Sequence, residues 1–379
     1  MLHKVYINNI TKFLPNSPVD NDEMENILGI VNGKPSRSRA IVLRQNGIKK
    51  RYYVINNKGD IKYSNADITT YAIKKLANSN FSIKDIEVLC CGTSLADQLL
   101  PSHASMVHGK LSNKPVEIFS PSGVCCAGMH ALKYGFLSIM SGQTPNAICT
   151  GSEVISPLLR SDKFSKEAKC TNHLEKNPIL SFDKDFLRWM LSDGAGAILL
   201  ENKPNKAKIS LKLEWIESIS FANEVESCMY AGAEKNDSGQ LIGWKEVDPE
   251  IWLKKSLFSV KQDVKLLDKN IVTLGVKYLA DICKKKNITE TSIDYFLPHL
   301  SSMYFKQKVY DELEKQGLEV PYTKWFTNLE QVGNVGSASI YLMLEELFHS
   351  GLLKKKEKIL ILVPESSRFS YAFAYLTVI

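Results

Sequence analysis

The second half of this chain repeats the pattern of its first half, and that repeat limits the folds open to it. Thr70 to Ala77 (TYAIKKLA) matches Thr273 to Ala280 (TLGVKYLA), and each segment reads as an amphipathic helix. A polar turn follows each, then a strand introduced by Ser-Ile: Ser82-Ile83 before Ile86 to Cys90, and Ser292-Ile293 before Tyr295 to Leu297. Further on, Met129, Leu132, Phe136, Leu137 and Met140 fall at helical spacing, as do Ile340, Met343, Leu344, Leu347 and Phe348. Both helices run into Ser-Gly, a stop signal, and then into an apolar strand, Ala147 to Thr150 or Ile359 to Val363. The offset between matching elements drifts only from roughly 203 to roughly 212 residues, which marks a structural repeat.

Strands alternating with helices imply an α/β fold with largely parallel sheets. The chain has 379 residues, which suits two halves, 1–203 and 204–379. Residues 223–263 have no counterpart in the repeat and contain Gly232, Gly239, Gly243, Trp244 and Trp252. They are expected to be an insertion that lines a substrate tunnel.

Composition excludes several function classes. No apolar run approaches the ~20 residues of a membrane span. The N-terminal segment is broken by Lys4, Asn8, Asn9 and Lys12 and lacks the shape of a signal peptide, so the expected location is the cytoplasm. The 8 cysteines include the adjacent pairs Cys90-Cys91 and Cys125-Cys126 but no CxxC, which argues against zinc. A net charge of +7 comes with clusters such as Lys49-Lys50-Arg51, Lys284 to Lys286 and Lys354 to Lys356. These read as solvated surfaces or as a docking face for an acidic partner; no nucleic-acid-binding signature accompanies them. No dinucleotide fingerprint or metal-ligand cluster is present, so no cofactor or metal is expected.

Three residues stand where chemistry can be done. Ser120 to Gly128 (SPSGVCCAG) is a turn-rich approach to a helix, and a cysteine at a helix N-terminus faces free backbone N–H groups that favour the thiolate. Cys126 also reads as a buried structural cysteine. His299 ends the apolar run Phe296-Leu297-Pro298, where α/β folds display functional groups, although a satisfied structural histidine reads the same way. Asn334 lies in a glycine-rich turn before a helix, with helix capping as its other reading. His130, one turn beyond Cys126, is a rival partner assigned to packing.

Taken together, these motifs resemble the β-ketoacyl-acyl-carrier-protein synthase III family along nearly the whole chain. Gly47-Ile48-Lys49-Lys50-Arg51 resembles its Gly-Ile-x-x-Arg motif, and Thr93-Ser94 with Leu100-Pro101-Ser102 resembles the segment before its nucleophile. Cys126-Ala127-Gly128, Ser192 to Ala197, Pro298-His299 and Gly333-Asn334 follow in the family's order. The resemblance implies the thiolase fold: two duplicated α/β halves in five αβαβα layers. It also implies Cys126 as nucleophile, with His299 and Asn334 donating hydrogen bonds to a thioester oxygen. The backbone N–H groups of Cys126 and of the C-terminal loop would hold the oxyanion. Arg51, Ser301, Lys306, Ser367 and Arg368 fall where the family contacts substrate or carrier. The implied partners are acyl carrier protein or acyl-coenzyme A, the phosphopantetheine thiol carrying the acyl group, and a second copy of the chain.

The sequence also departs from that family. Leu300-Ser301-Ser302 replaces Gln-Ala-Asn after the histidine, Tyr304 stands at a docking arginine, and Ser366-Ser367-Arg368 replaces a triple-glycine loop. Together with Phe186 to Asp193 and Pro364 to Ser370, these changes make the chain similar to ketosynthases that build dialkylresorcinol-type lipids. That implies joining a 3-oxoacyl thioester to a second acyl thioester and closing a cyclohexanedione ring. The alternatives are initiation of fatty-acid synthesis, a type III polyketide synthase, or a non-catalytic partner subunit, which would tend to lose the nucleophile. A thiolase would need a second catalytic cysteine near the end of the chain, and only Cys228 and Cys283 lie in the second half.

Overall fold

The computed structural model describes residues 2–171, 182–206 and 208–379. Its centre is a nine-stranded sheet. The strands are β1 (Val5–Phe13), β2 (Val88–Thr93), β3 (Glu117–Phe119), β4 (Asn146–Glu153), β5 (Gly194–Glu201), β6 (Leu211–Ser220), β7 (Tyr295–Pro298), β8 (Lys358–Glu365) and β9 (Ser370–Val378). In space they run β7-β8-β9-β6-β1-β5-β4-β2-β3.

This order reads the same from both ends toward the middle. In the first half β2 pairs parallel to β4, β4 antiparallel to β5, and β5 antiparallel to β1. In the second, β7 pairs parallel to β8, β8 antiparallel to β9, and β9 antiparallel to β6. The two sets meet where β1 pairs antiparallel to β6 through Val5, Tyr6 and Ile7 opposite Leu213, Lys212 and Leu211. In place of a partner for β3, the second half has a single parallel bridge, Phe296 to Trp325.

Helices form the other layers. α1 (Asn65–Lys74) and α2 (His103–Leu111) cover the outer face of the first half, and α5 (Val264–Lys285) and α6 (Tyr304–Lys315) that of the second. Between the halves lie α3 (Cys126–Met140) and α7 (Ser339–His349), whose apolar faces share one core with residues of both sheets. The duplicated α/β architecture expected from the sequence is the one observed. α1 starts on a capping box, Ser64 with Asp67, and both central helices end on a left-handed glycine, Gly142 (φ +83°) and Gly351 (φ +76°).

Residues 223–263 form short paired strands (Met229–Tyr230 with Lys261–Gln262), a hairpin (Ala233–Lys235 with Leu241–Gly243) and a helix (Pro249–Lys254). Trp244, Trp252 and Phe258 pack edge-on within this segment. Among the described residues no helix is long and apolar enough to cross a membrane.

Candidate active site

Two parallel pairs of strands, β2 with β4 and β7 with β8, bring their carboxyl ends to the site, the position where α/β folds carry functional groups. They deliver Ser94, Glu153, His299 and Glu365. The N-terminus of α3 and the turn before α7 complete the site with Cys125, Cys126 and Asn334.

Of these, Ser94, Glu153, Cys125 and Asn334 line a cavity of ≈ 250 Å³. Cys125, Glu153, Ser301 and Asn334 are its polar lining near the α3 turn, and Leu187, Met190, Met229 and Val260 extend it as an apolar wall. Residues 223–263 therefore contribute Met229 and Val260 to the cavity wall. Leu187 of that wall comes from α4 (Phe182–Arg188).

Cys126 itself does not line this cavity; its neighbour Cys125 does. The Cys126 thiol is fully buried and donates to the carbonyls of Val363 (3.3 Å) and Ser370 (3.8 Å). Burial, then the nearby Glu365 carboxylate, push this thiol well above its ordinary value. The Cys126 N–H, expected from the sequence to hold an oxyanion, donates here to Glu365 Oε2 at 3.0 Å, from the last residue of β8.

His299 follows β7 directly, its N–H on the Leu362 carbonyl at 2.8 Å. It lines a smaller cavity of ≈ 30 Å³, and Ser301 borders both spaces. Its Nε2 is buried without a hydrogen-bond partner among the described residues. Burial lowers its pKa to about 4, so the imidazole is neutral near pH 7. Asn334 is held through its backbone, N–H to the Met190 carbonyl and C=O to the Ser192 N–H, while Oδ1 accepts from Gly336 N–H. That leaves its Nδ2 hydrogens as the donors of this side chain.

Glu153 was not anticipated from the sequence. Its Oε1 accepts from Ser94 N–H (3.0 Å), Ser94 Oγ (2.6 Å) and Ser337 N–H (3.1 Å). Burial outweighs these bonds and raises its pKa to about 7. The available signal was an acidic residue closing a strand with an apolar centre, Ala147-Ile148-Cys149; Glu365 closes the apolar run Ile359 to Val363 in the same way.

The remaining expected site residues take other places. Arg51 is fully buried, its guanidinium on the Trp189 carbonyl (2.6 Å) and Asn21 Oδ1 (2.6 Å), so it braces the loops under the site and has no face for a carrier. Lys306, on α6, lies over the Tyr322 ring at 4.9 Å. Ser367 Oγ donates to Glu365 Oε1 at 2.7 Å, and exposed Arg368 donates to the Val225 carbonyl, tying the β8–β9 loop to residues 223–263. His130 is half-buried, its pKa lowered chiefly by burial.

Known proteins give these features a context. Residues 283–363, which hold His299 and Asn334, match the family model described as 3-oxoacyl-[acyl-carrier-protein] synthase III C terminal. The β-ketoacyl-[acyl-carrier-protein] synthase III of Clostridium perfringens (strain ATCC 13124) is 25% identical over 350 residues, 92% of each chain. That of Clostridium beijerinckii is 24% identical over 376 residues, 98% of each. Among solved structures, AbyA1, a tetronic acid condensing enzyme, superposes with a TM-score of 0.75 at 18% identity, covering 98% of this chain and 99% of that one. OleA of Xanthomonas campestris, with bound lauric acid and lauroyl-CoA, gives 0.73 at 18% identity over 100% of both chains. At such identities the structural matches speak for the fold.

Proposed function

We infer that this chain, which belongs to the 3-oxoacyl-[acyl-carrier-protein] synthase III-like condensing enzymes of the thiolase fold, joins a 3-oxoacyl thioester to a second acyl thioester held on Cys126. The observation that carries the finer reading is the charge of the cavity. Among its described lining residues Glu153 is the one carboxylic acid, and there is no lysine, arginine or histidine. A malonyl group would bring a second carboxylate into this space with no cation to meet it. A 3-oxoacyl group brings none, and its α-carbon, flanked by two carbonyls, gives up a proton without losing CO₂.

The steps follow from the groups present. The Cys126 sulfur attacks an acyl thioester; the new S–C bond forms as the carrier thiolate leaves, and the acyl group stays on the enzyme. Glu153, as carboxylate, takes the α-proton of the second thioester. The neutral imidazole of His299 and the amide of Asn334 donate to the enolate oxygen. The enolate carbon attacks the acyl-cysteine carbonyl, and the C–S bond breaks to return Cys126. A further carbonyl addition within the product would close a cyclohexanedione ring, the precursor of a dialkylresorcinol.

The apolar wall suits acyl chains; the OleA structure contains such a thioester, lauroyl-CoA. We assign the carrier as acyl carrier protein or coenzyme A, the working unit as a homodimer and the compartment as the cytoplasm.

The test is intact-protein mass spectrometry with a panel of acyl thioesters, on wild type and Cys126→Ala, followed by product analysis. An acyl adduct is expected on wild type alone, with carbon–carbon coupling to a 3-oxoacyl partner. Efficient coupling to malonyl thioester together with indifference to 3-oxoacyl partners would sink the finer reading, leaving fatty-acid initiation or a type III polyketide synthase. Absence of any adduct would point to a partner subunit.

A further inference from the structure

A cysteine that opens a helix normally gains from the free N–H groups there. In this protein a carboxylate has already taken them. Glu365 Oε2 accepts from Val124 N–H at 2.7 Å and from Cys126 N–H at 3.0 Å. Its Oε1 is held by Ser367 Oγ at 2.7 Å, and the side chain is buried. Gly123, at φ +156°, clears the approach: a Cβ there would lie 3.1 Å from Oε2. The thiol is turned onto the carbonyls of Val363 and Ser370 and away from the cavity. Burial, two carbonyl acceptors and an adjacent anion all keep it protonated.

We propose that Glu365 is a positioning residue of acyl transfer, an internal anion that occupies the Cys126 amide until the carbonyl oxygen of an acyl thioester replaces it. This rests on Cys126 being the nucleophile. Once Glu365 swings off, the amide is free to hold the oxygen that becomes negative, and the thiol loses the charge that opposed its ionisation. The Cys126 S–C bond then forms as the carbonyl electron pair moves to oxygen; the pair returns, the carrier C–S bond breaks, and the carrier thiolate accepts the thiol proton. One thiol and one thioester become one thioester and one thiol, with no oxidant or reductant. The resting cysteine is thereby shielded from small electrophiles and opened by a substrate able to displace an anion.

The charged and titratable groups around Glu365 are few. Cys125 and Cys126 feel it on α3, with Glu153 beyond Cys125. His130 feels it one turn along α3, with Lys133 behind. Tyr371 of β9 faces Cys126.

The experiment is peptide-resolved mass spectrometry of iodoacetamide labelling on the full chain, from about pH 6 to about pH 10, where thiolate reactivity is read directly. In Glu365→Gln, which keeps an oxygen acceptor on the amides, Cys126 should label at least about tenfold faster near pH 7, with its pH midpoint lowered by about one unit. Glu365→Asp should restore the wild-type profile in part. Labelling of Cys91 and Cys149, buried elsewhere, should stay unchanged, which separates this effect from general loosening. Equal or slower labelling of Cys126 in the Gln variant, at an unmoved midpoint, overturns the proposal. Should that variant fail to fold, Ser367→Ala, which frees Oε1, decides in its place: faster labelling supports the proposal and unchanged labelling overturns it. If no thioester acylates wild-type Cys126, the proposed function fails, while the labelling still reads the hold of Glu365 on the thiol.

Discussion

Glu153 is the residue whose ionisation should govern condensation. Its pKa is raised from 4.5 to about 7 by burial, so folding favours the protonated form. The stabilising effect is full below pH 4.5 and is lost as pH rises through about 7. Unfolding free energies of wild type and Glu153→Gln, measured from acid to neutral pH, should therefore swing toward the variant by about 3 kcal/mol. Activity should run the other way: coupling needs the carboxylate, so its rate should fall as pH drops below about 7, and Glu153→Gln should abolish coupling while leaving acylation of Cys126 intact. His299→Ala and Asn334→Ala should behave likewise, each losing about 10²–10³-fold in coupling, as expected for an oxyanion donor. A single-turnover assay that separates adduct from product checks all three; parallel loss of acylation would contradict the division of roles. The sequence made Cys126, His299 and Asn334 legible because each sits in a motif whose order along the chain is specific. It left Glu153 and Glu365 unread because a carboxylate matters here only once buried, and the groups that meet it there come from segments roughly 60 to 240 residues away in the chain.

Between elements, the packing of α3 against the turn before α7 sets where Cys126 stands relative to Asn334. The α3 backbone at Gly128 lies against the Ser337 backbone and the Tyr341 side chain. A Cβ on Gly128 would lie 2.3 Å from the Ser337 carbonyl and 2.9 Å from Tyr341, and the Tyr341 hydroxyl donates to the Gly128 carbonyl at 2.8 Å. Gly128→Ala must push the helices apart and carry Asn334 with the turn, so it should cost about 1–3 kcal/mol and most of the coupling activity. Gly109, inside α2, has nothing within 4 Å of its Cβ position, and Gly109→Ala should stabilise by about 0.4–1 kcal/mol without touching activity. Thermal denaturation of the pair reads opposite signs from the same substitution. Helices and strands were legible in advance from apolar periodicity and the Ser-Gly stops. Arg51 was not, because a basic run, Lys49 to Arg51, looks solvated in sequence, and only the third side chain turns inward beneath Trp189.

For the whole molecule, the repeat showed two similar halves, while their junction, β1 against β6, involved strands whose pairing partners no local pattern specifies. The opposite end of the first half is left open. β3 pairs with β2 on one side only, Ile118 is 37% exposed, and Phe119 stacks on Tyr134 of α3 at 4.1 Å. An exposed edge strand invites another strand, and a twofold axis through it would set β3 antiparallel to its own copy and extend the sheet across two chains. Because β2, the neighbour of β3, leads directly to Ser94 and Leu95 of the cavity, such pairing would also brace the cavity wall. The second half has only a bridge at the equivalent edge, so a closed dimer through β3 is favoured over an open chain of copies. Light scattering should give wild type twice the mass of one chain. Ile118→Lys, which places a charge on the edge face, should shift the protein toward the monomer and weaken thioester binding while the fold, read by circular dichroism, stays intact. A monomeric wild type, or a lysine variant that remains fully dimeric, would show that β3 is not the joining edge.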